Sequence, residues 1–317
     1  MMLAAVINSF GDPAAVIEIV ETHEPIVGPD SVLISVAAAS VNPVDWKVVA
    51  GYLQGAIPHH LPLIPGWDVA GTVIGVGPAI KSFAVGDRVA AYAREDHIQF
   101  GTYAQRVAVP ERTACKIPDG VAFDVAAAVP LAGLTAAQVL IAADVSADDV
   151  VLIHAAAGGV GTFATQLARS RGAKVIGTAS PSNHEMLKDR GIIPVDYHGD
   201  LAAVVKEIEP NGVDVVIDLV GGDALAATPD VLALNGRVVS IIDSETVTKL
   251  ASEYGYNGFY EFVRPDSKRL AELLEMVASG ELIVDVAQRF SLAETAAAME
   301  SSKTGQTRGK IVISVEG

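Results

Sequence analysis

Two hydrophobic rhythms divide the chain. Up to about residue 120, apolar residues gather in short runs at 3–7, 32–38, 69–76, 88–92 and 103–109, separated by turn clusters such as Gly28-Pro29-Asp30 and Gly77-Pro78. Runs of strand length between Gly, Pro and Asp predict many short strands in an antiparallel barrel-like or sandwich module. From about residue 124 the rhythm changes: apolar runs at 150–154, 174–178, 213–220 and 237–242 alternate with helix-period segments at 160–171, 183–190 and 223–234. Continuous apolar runs mark strands buried on both faces, and helices between them make βαβ units, so a doubly wound parallel sheet is predicted. The tail predicts helices near 266–279 and 292–302 and a closing strand at 310–315. An apolar last strand must find a neighbour, and rejoining the first module provides one. The expected fold is α/β, with a β-rich domain made by 1–123 and 263–317 around a parallel-sheet domain at 124–262.

Composition narrows the function. The chain has 317 residues, half of them hydrophobic, which excludes a disordered protein. Lys and Arg number 22 against 38 Asp and Glu, a net charge of −16, so no broad positive field exists for nucleic acid or an anionic membrane. The single cysteine, Cys115, allows neither an intrachain disulfide nor a four-cysteine zinc site, and cytoplasm is the expected compartment. The first residues carry no basic segment followed by a long apolar one, so no signal peptide is read. Residues 125–143 are uncharged and long enough to span a bilayer. They are mostly alanine, contain Pro130, Gly133, Thr135 and Gln138, and are flanked by Asp124 and Asp144, which predicts a buried soluble segment.

The sharpest motif follows the apolar run at 150–154: Ala155-Ala156-Ala157-Gly158-Gly159-Val160-Gly161. A buried strand that ends in a small-residue turn and opens a helix presents free N–H groups and the positive end of the helix dipole, where a pyrophosphate binds. Gly161 would let the helix pack on the sheet. The alternative is a turn made small for packing alone. Downstream, the end of the next strand reads Gly177-Thr178-Ala179-Ser180-Pro181-Ser182-Asn183-His184, with no carboxylate before Glu185. A carboxylate there would bind a ribose hydroxyl and repel a 2′-phosphate, so its absence admits NADP(H), with Ser180, Ser182 and Asn183 as donors. Equally, these residues could simply cap a helix.

At this point the chain resembles the medium-chain dehydrogenase/reductase superfamily, most closely its zinc-free quinone oxidoreductase (zeta-crystallin-like) branch. The resemblance rests on Ser40-Val41-Asn42-Pro43-Val44-Asp45-Trp46-Lys47, Pro65-Gly66-Trp67-Asp68-Val69-Ala70-Gly71, Val85-Gly86-Asp87-Arg88-Val89, Leu131-Ala132-Gly133-Leu134-Thr135, the Gly-rich turn, Asp218-Leu219-Val220-Gly221-Gly222 and Arg308-Gly309-Lys310-Ile311-Val312. It implies a Rossmann domain plus a discontinuous GroES-like domain, a homodimer, and a substrate held in the cleft between domains. The superfamily's zinc-ligand positions fall on Asn42, Trp67 and Ala132; Trp and Ala cannot ligate zinc and Asn is a poor ligand. Without a Lewis acid, reduction of an already electrophilic acceptor becomes the expected chemistry.

The resemblance also implies site residues. Asn42 and Tyr52 are the expected acceptor-side residues; Asn42, Asp45 and Lys47 are expected in a loop facing the nicotinamide, or else in a solvated turn. Tyr52 is expected to line the substrate pocket, or to be a half-buried aromatic. Thr135 is expected against the nicotinamide, or as a helix cap. As read above, Ala157, Gly158, Gly159, Val160 and Gly161 would take the pyrophosphate and Ser180, Ser182 and Asn183 the 2′-phosphate. The resemblance implies Tyr197 near the adenosine phosphate and Ser240 and Ile241 beside the nicotinamide, and Val220 and Gly221 are expected among the coenzyme residues. Many members carry a basic residue within 180–184 where this chain has none. No metal is expected. His59 and His60 are adjacent on an extended segment and point opposite ways, His97 is read as surface, and His154 as a hydrogen-bonded core group. Hydride would pass from NADPH to a quinone or α,β-unsaturated carbonyl. The rivals are an enal, enone or enoyl-thioester reductase, an NADPH-binding protein with little turnover, and a zinc alcohol dehydrogenase.

Overall fold

The computed structural model describes residues 1–315. The chain forms two compact units, one from Met1–Leu134 together with the segment from Pro265 onward, the other from Thr135–Arg264.

The first unit is built on a seven-stranded sheet. Its order runs Val286–Ser291, Lys310–Ser314, Ser31–Val41, Asp68–Val76, Arg88–Tyr92, Ala114–Lys116, with Arg106–Pro110 also paired to Ser31–Val41. The Ser31–Val41 strand shows why the hydrophobic pattern reads as it does. Its first half alternates half-buried and buried residues, and its second half is buried throughout, as expected where both faces become covered. The strand Lys310–Ser314 lies antiparallel to it, with Ile311 opposite Val41 and Ser314 opposite Ala38. A smaller sheet orders Ile17–Thr22, Met2–Ile7, His59–Ile64 and Ile98–Phe100.

In the second unit all six strands are parallel, in the order Ile193–Val195, Lys174–Thr178, Val150–Ile153, Val213–Asp218, Leu232–Ser240, Asn257–Tyr260. Numbered along the chain this is 3-2-1-4-5-6, the doubly wound dinucleotide-binding order, which reverses between the first and fourth strands. Leu152, Ile176, Val216 and Val238 are wholly buried in its core. The uncharged 125–143 segment is a short helix, Phe123–Ala127, followed by a second, Pro130–Ala142. Thirteen helical residues reach only about 20 Å, too short for a bilayer. No helix among the described residues is long and apolar enough to cross a membrane.

Several expected elements differ. Residues 42–47 are not a loop: Pro43–Val49 is a helix with proline at its first position, a favoured helix start that leaves little room for a periodic pattern. The helix expected at 223–234 is only Gly222–Ala226, because a proline turn at Thr228–Asp230 stops it and the next strand begins at Leu232. The strand expected at 103–109 begins at Arg106, since Ala104 is spent on a bridge to Ala4. Residues 244–260, where no element is predicted above, hold the helix Ser244–Tyr254, capped by the Asp243 carboxylate, and the strand Asn257–Tyr260. Both are half-exposed, so neither leaves a long apolar run.

Candidate active site

Apart from Thr135, the coenzyme residues expected in the second unit sit at or just beyond the carboxyl ends of its parallel strands, the edge where doubly wound sheets bind ligands. The Gly-rich turn follows Val150–Ile153. Ala155 takes a left-handed φ of 49°. Its N–H donates to Thr178 Oγ1 at 3.1 Å, and the N–H of Ala156 donates to the Thr178 carbonyl at 2.9 Å. Gly158 then opens the helix Gly159–Ser170 without a capping side chain, so the first-turn N–H groups at 159–161 have no acceptor of that kind. A Cβ on Gly161 would stand 2.1 Å from the Ala155 carbonyl oxygen. The helix passes over its own turn only because position 161 is glycine. A small, uncapped, positively polarised crest of this kind fits a dinucleotide's pyrophosphate.

Beyond Lys174–Thr178, the Ser180 and Ser182 hydroxyls lie 3.1 Å apart and Asn183 Nδ2 donates to Ser180 Oγ at 3.1 Å. Ser182 is exposed and Ser180 and Asn183 are half-buried, so three neutral polar groups gather at the surface. Tyr197, beyond Ile193–Val195, is 53% exposed and lies against His198 with ring centroids 4.2 Å apart. Val220 is exposed while Gly221, at φ 76°, is buried. Ile241 is half-buried, but Ser240 is wholly buried and its hydroxyl donates to Asp218 Oδ2 at 2.6 Å. The Ser240 side chain is thus committed inward. Thr135 is buried within Pro130–Ala142 and does not cap that helix. His154 is buried at the strand end, 3.4 Å from Thr178 Oγ1, and burial pulls its pKa below the usual imidazole value.

The first-unit residues expected on the acceptor side lie around Pro43–Val49: Asn42 just before it, Asp45 and Lys47 on it, and Tyr52 just after it. Asp45 turns back so that its carboxylate accepts the Asn42 N–H at 2.7 Å and the Tyr103 hydroxyl at 2.8 Å. Asn42 itself is buried. Its Nδ2 donates to Asp68 Oδ2 at 2.8 Å, and its Oδ1 accepts from the Lys310 ammonium, which also reaches the Val41 carbonyl at 3.3 Å. Asp68 collects two further donors, Ser40 Oγ at 2.8 Å and the Leu131 N–H at 2.9 Å. Burial pushes the Asp45 carboxyl up to about 7, raises Asp68, and lowers Lys310, while the attraction between ammonium and carboxylates works against that push. Lys47 Nζ lies 5.7 Å from the centre of the Trp46 ring, and Tyr52, 71% exposed, meets the same ring edge-on at 5.9 Å. His60 and His97 are exposed.

The buried group of Ser40, Asp68, Tyr103 and Lys310, and Asp218 in the other unit, were not singled out from the sequence. One signal was available. Asp68, Lys310 and Asp218 are charges at the ends of largely apolar strands, where a solvated residue is not expected.

Comparison with known proteins identifies the family. An alcohol dehydrogenase GroES-like domain model matches residues 28–119, and a zinc-binding dehydrogenase model matches 191–313. The chain is 31% identical over 325 residues to the chloroplast envelope quinone oxidoreductase homolog of Arabidopsis thaliana, covering 99% of this chain and 98% of that one. The chain belongs to the medium-chain dehydrogenase/reductase superfamily, in its quinone oxidoreductase branch. The solved quinone oxidoreductase of Coxiella burnetii superposes with a TM-score of 0.90 at 35% identity, over 99% of each chain. The NADPH-dependent alkenal/one oxidoreductase of Arabidopsis thaliana is 33% identical over 91% of this chain and 73% of its own. This branch member is therefore an oxidoreductase of the quinone oxidoreductase type that uses a nicotinamide cofactor. Zinc does not fit its donor set. Trp67 is buried edge-on against Tyr92, the Asn42 oxygen is taken by Lys310, and no group of three or more His, Cys, Asp or Glu able to hold a metal exists among the described residues.

Proposed function

We propose that this protein is a cytoplasmic, zinc-independent reductase that passes hydride from NADPH to a quinone or another electrophilic carbonyl. The observation that carries the reading is the uncapped helix start over the 154–161 turn, which only glycine at 161 permits. Bound NADPH supplies the hydride. Ala157, Gly158, Gly159, Val160 and Gly161 hold the pyrophosphate through the N–H groups the turn does not itself use; that of Gly158 donates to the Ala155 carbonyl at 2.9 Å and shapes the turn. Ser180, Ser182 and Asn183 donate to the 2′-phosphate, with Tyr197 beside it and no carboxylate in that stretch to repel it. Thr135, Val220, Gly221 and Ile241 border the nicotinamide. On the acceptor side, Lys310 and Asp68 fix the Asn42 carboxamide and leave one Nδ2 hydrogen for an acceptor oxygen. A donor there steadies the charge that grows on that oxygen as hydride arrives. Asp45 serves from inside, holding the helix start, and Lys47 completes the polar rim beside Trp46. A quinone needs only a solvent proton to reach the hydroquinone.

A second reading, an enal or enone reductase, is favoured by the exposed Tyr52 hydroxyl, since a saturated carbonyl needs a proton at carbon. Oxidation of NADPH and NADH with quinones, enals and enoyl thioesters, in the wild type and Tyr52→Phe, separates the two. Quinone reduction with a preference for NADPH that survives Tyr52→Phe is expected. Loss of enal turnover alone in that variant assigns Tyr52 to the second reaction. Coenzyme binding without oxidation by any acceptor overturns both and leaves a binding protein. We further propose that the molecule is a homodimer. Asn257–Tyr260 is the terminal strand of its sheet, and Phe259, Tyr260 and Phe262 beside it are exposed, a surface suited to a second copy.

A further inference from the structure

Two loops leave the parallel sheet side by side, one after Val213–Asp218 and one after Leu232–Ser240. Their last strand residues, Asp218 and Ser240, stand opposite each other in register, and both are wholly buried. The Asp218 carboxylate divides its two oxygens. Oδ1 accepts the N–H groups of Val220 at 3.0 Å and Gly221 at 2.8 Å, while Oδ2 accepts the Ser240 hydroxyl at 2.6 Å. Ser240 Oγ in turn accepts the N–H groups of Ile242 at 3.1 Å and Asp243 at 3.2 Å. The loops also touch directly, since a Cβ on Gly221 would stand 2.7 Å from Ile242 Cγ2. Four backbone N–H groups on two separate loops thus depend on one carboxylate–hydroxyl pair.

We propose that Asp218 and Ser240 are positioning residues that act as one unit, setting both loops for the nicotinamide end of the coenzyme. The proposal rests on the NADPH reading above and deepens it. Neither side chain is free to meet a ligand, because every oxygen is engaged with the loops or with its partner. Their effect passes through the backbone at 220–221 and 241–243. The hydroxyl is the hinge of the arrangement: with its hydrogen on Asp218, both its lone pairs face the second loop. Removing it breaks the second loop's anchor and leaves Asp218 Oδ2 buried without a donor, so the first loop loosens as well.

The test uses the full-length protein with NADPH as probe. Ser240→Ala and Asp218→Asn are each expected to weaken NADPH binding about tenfold, measured by coenzyme fluorescence, with a rise in the KM for NADPH and a kcat at saturation changed less. The double variant is expected to bind no worse than the weaker single one, because the pair is already broken. Multiplying effects, or variants that lower Tm while binding NADPH as the wild type does, would overturn the proposal. Amide hydrogen exchange provides a readout that does not need the coenzyme. In Ser240→Ala the amides of Val220 and Gly221, which Ser240 does not touch, are expected to exchange faster along with those of Ile242 and Asp243. Faster exchange confined to 242–243 refutes the coupling. Should Ser240→Ala fail to fold, the same amides are read in Asp218→Asn, where acceleration at 242–243 supports the proposal and its absence refutes it. Failure of the wild type to bind NADPH would instead strike the coenzyme reading, and the exchange result would still decide whether the two loops are coupled.

Discussion

The Asp45 carboxyl, pushed up to about 7 by burial, ties one side chain to the pH response of the fold. Its unfolded value is 3.8, so between about 4 and 7 the folded chain holds a proton that the unfolded chain has released. Stability from this group is therefore greatest in acid, falls as pH rises through that window, and is lowest above 7. Asp45→Asn keeps an oxygen for the Asn42 N–H and the Tyr103 hydroxyl but removes the titration. Urea titrations from pH 5 to pH 8 should show a flatter profile in the variant than in the wild type, and parallel profiles would refute the assignment. Such residues explain where reading from sequence stopped. Asn42, Asp45 and Lys310 can each be seen as polar residues in apolar surroundings, but Lys310 and Asn42 are 268 positions apart, and nothing local announces that they meet.

Among the elements, the strand–turn–helix at 150–170 was the most legible, because a continuous apolar run, a small-residue turn and a helical period follow one another without a break. It also makes the sharpest demand on a single position. Gly161→Ala should raise the Kd for NADPH about tenfold or more, since its methyl group must displace the Ala155 carbonyl that shapes the crest. Equilibrium binding on a variant of unchanged circular dichroism checks this; wild-type affinity would mean that the crest does not hold the coenzyme. Less legible elements had physical reasons for hiding. Pro43–Val49 is barely two turns long and defined by its capping carboxylate, not by a hydrophobic face. The helix Ser244–Tyr254 buries only Val247 and Leu250, and the strand after it lies at the edge of its sheet, so the pair reads as loop.

For the molecule as a whole, the change of rhythm near residue 124 foreshadows a β-rich and a parallel-sheet part, but the compact units divide between Leu134 and Thr135, because the buried helix Pro130–Ala142 straddles the change and carries no periodic signal of where it falls. The proposed association with a second copy has no mark of its own in the sequence, because an edge strand with scattered aromatics looks like any exposed segment. Light scattering at micromolar concentration should give a mass about twice the chain's 32.8 kDa. Replacing Phe259 and Tyr260 with lysine should halve it, whereas a monomeric wild type would remove the dimer.

The strand Lys310–Ser314 is an interior member of its sheet, flanked by Val286–Ser291 on one side and Ser31–Val41 on the other. During synthesis, therefore, the parallel-sheet unit emerges whole while the first unit waits, its inner seam open, for the strand Lys310–Ser314 to leave the ribosome. A nonsense codon just ahead of Lys310 would remove a central plank of that sheet together with the ammonium that anchors Asn42.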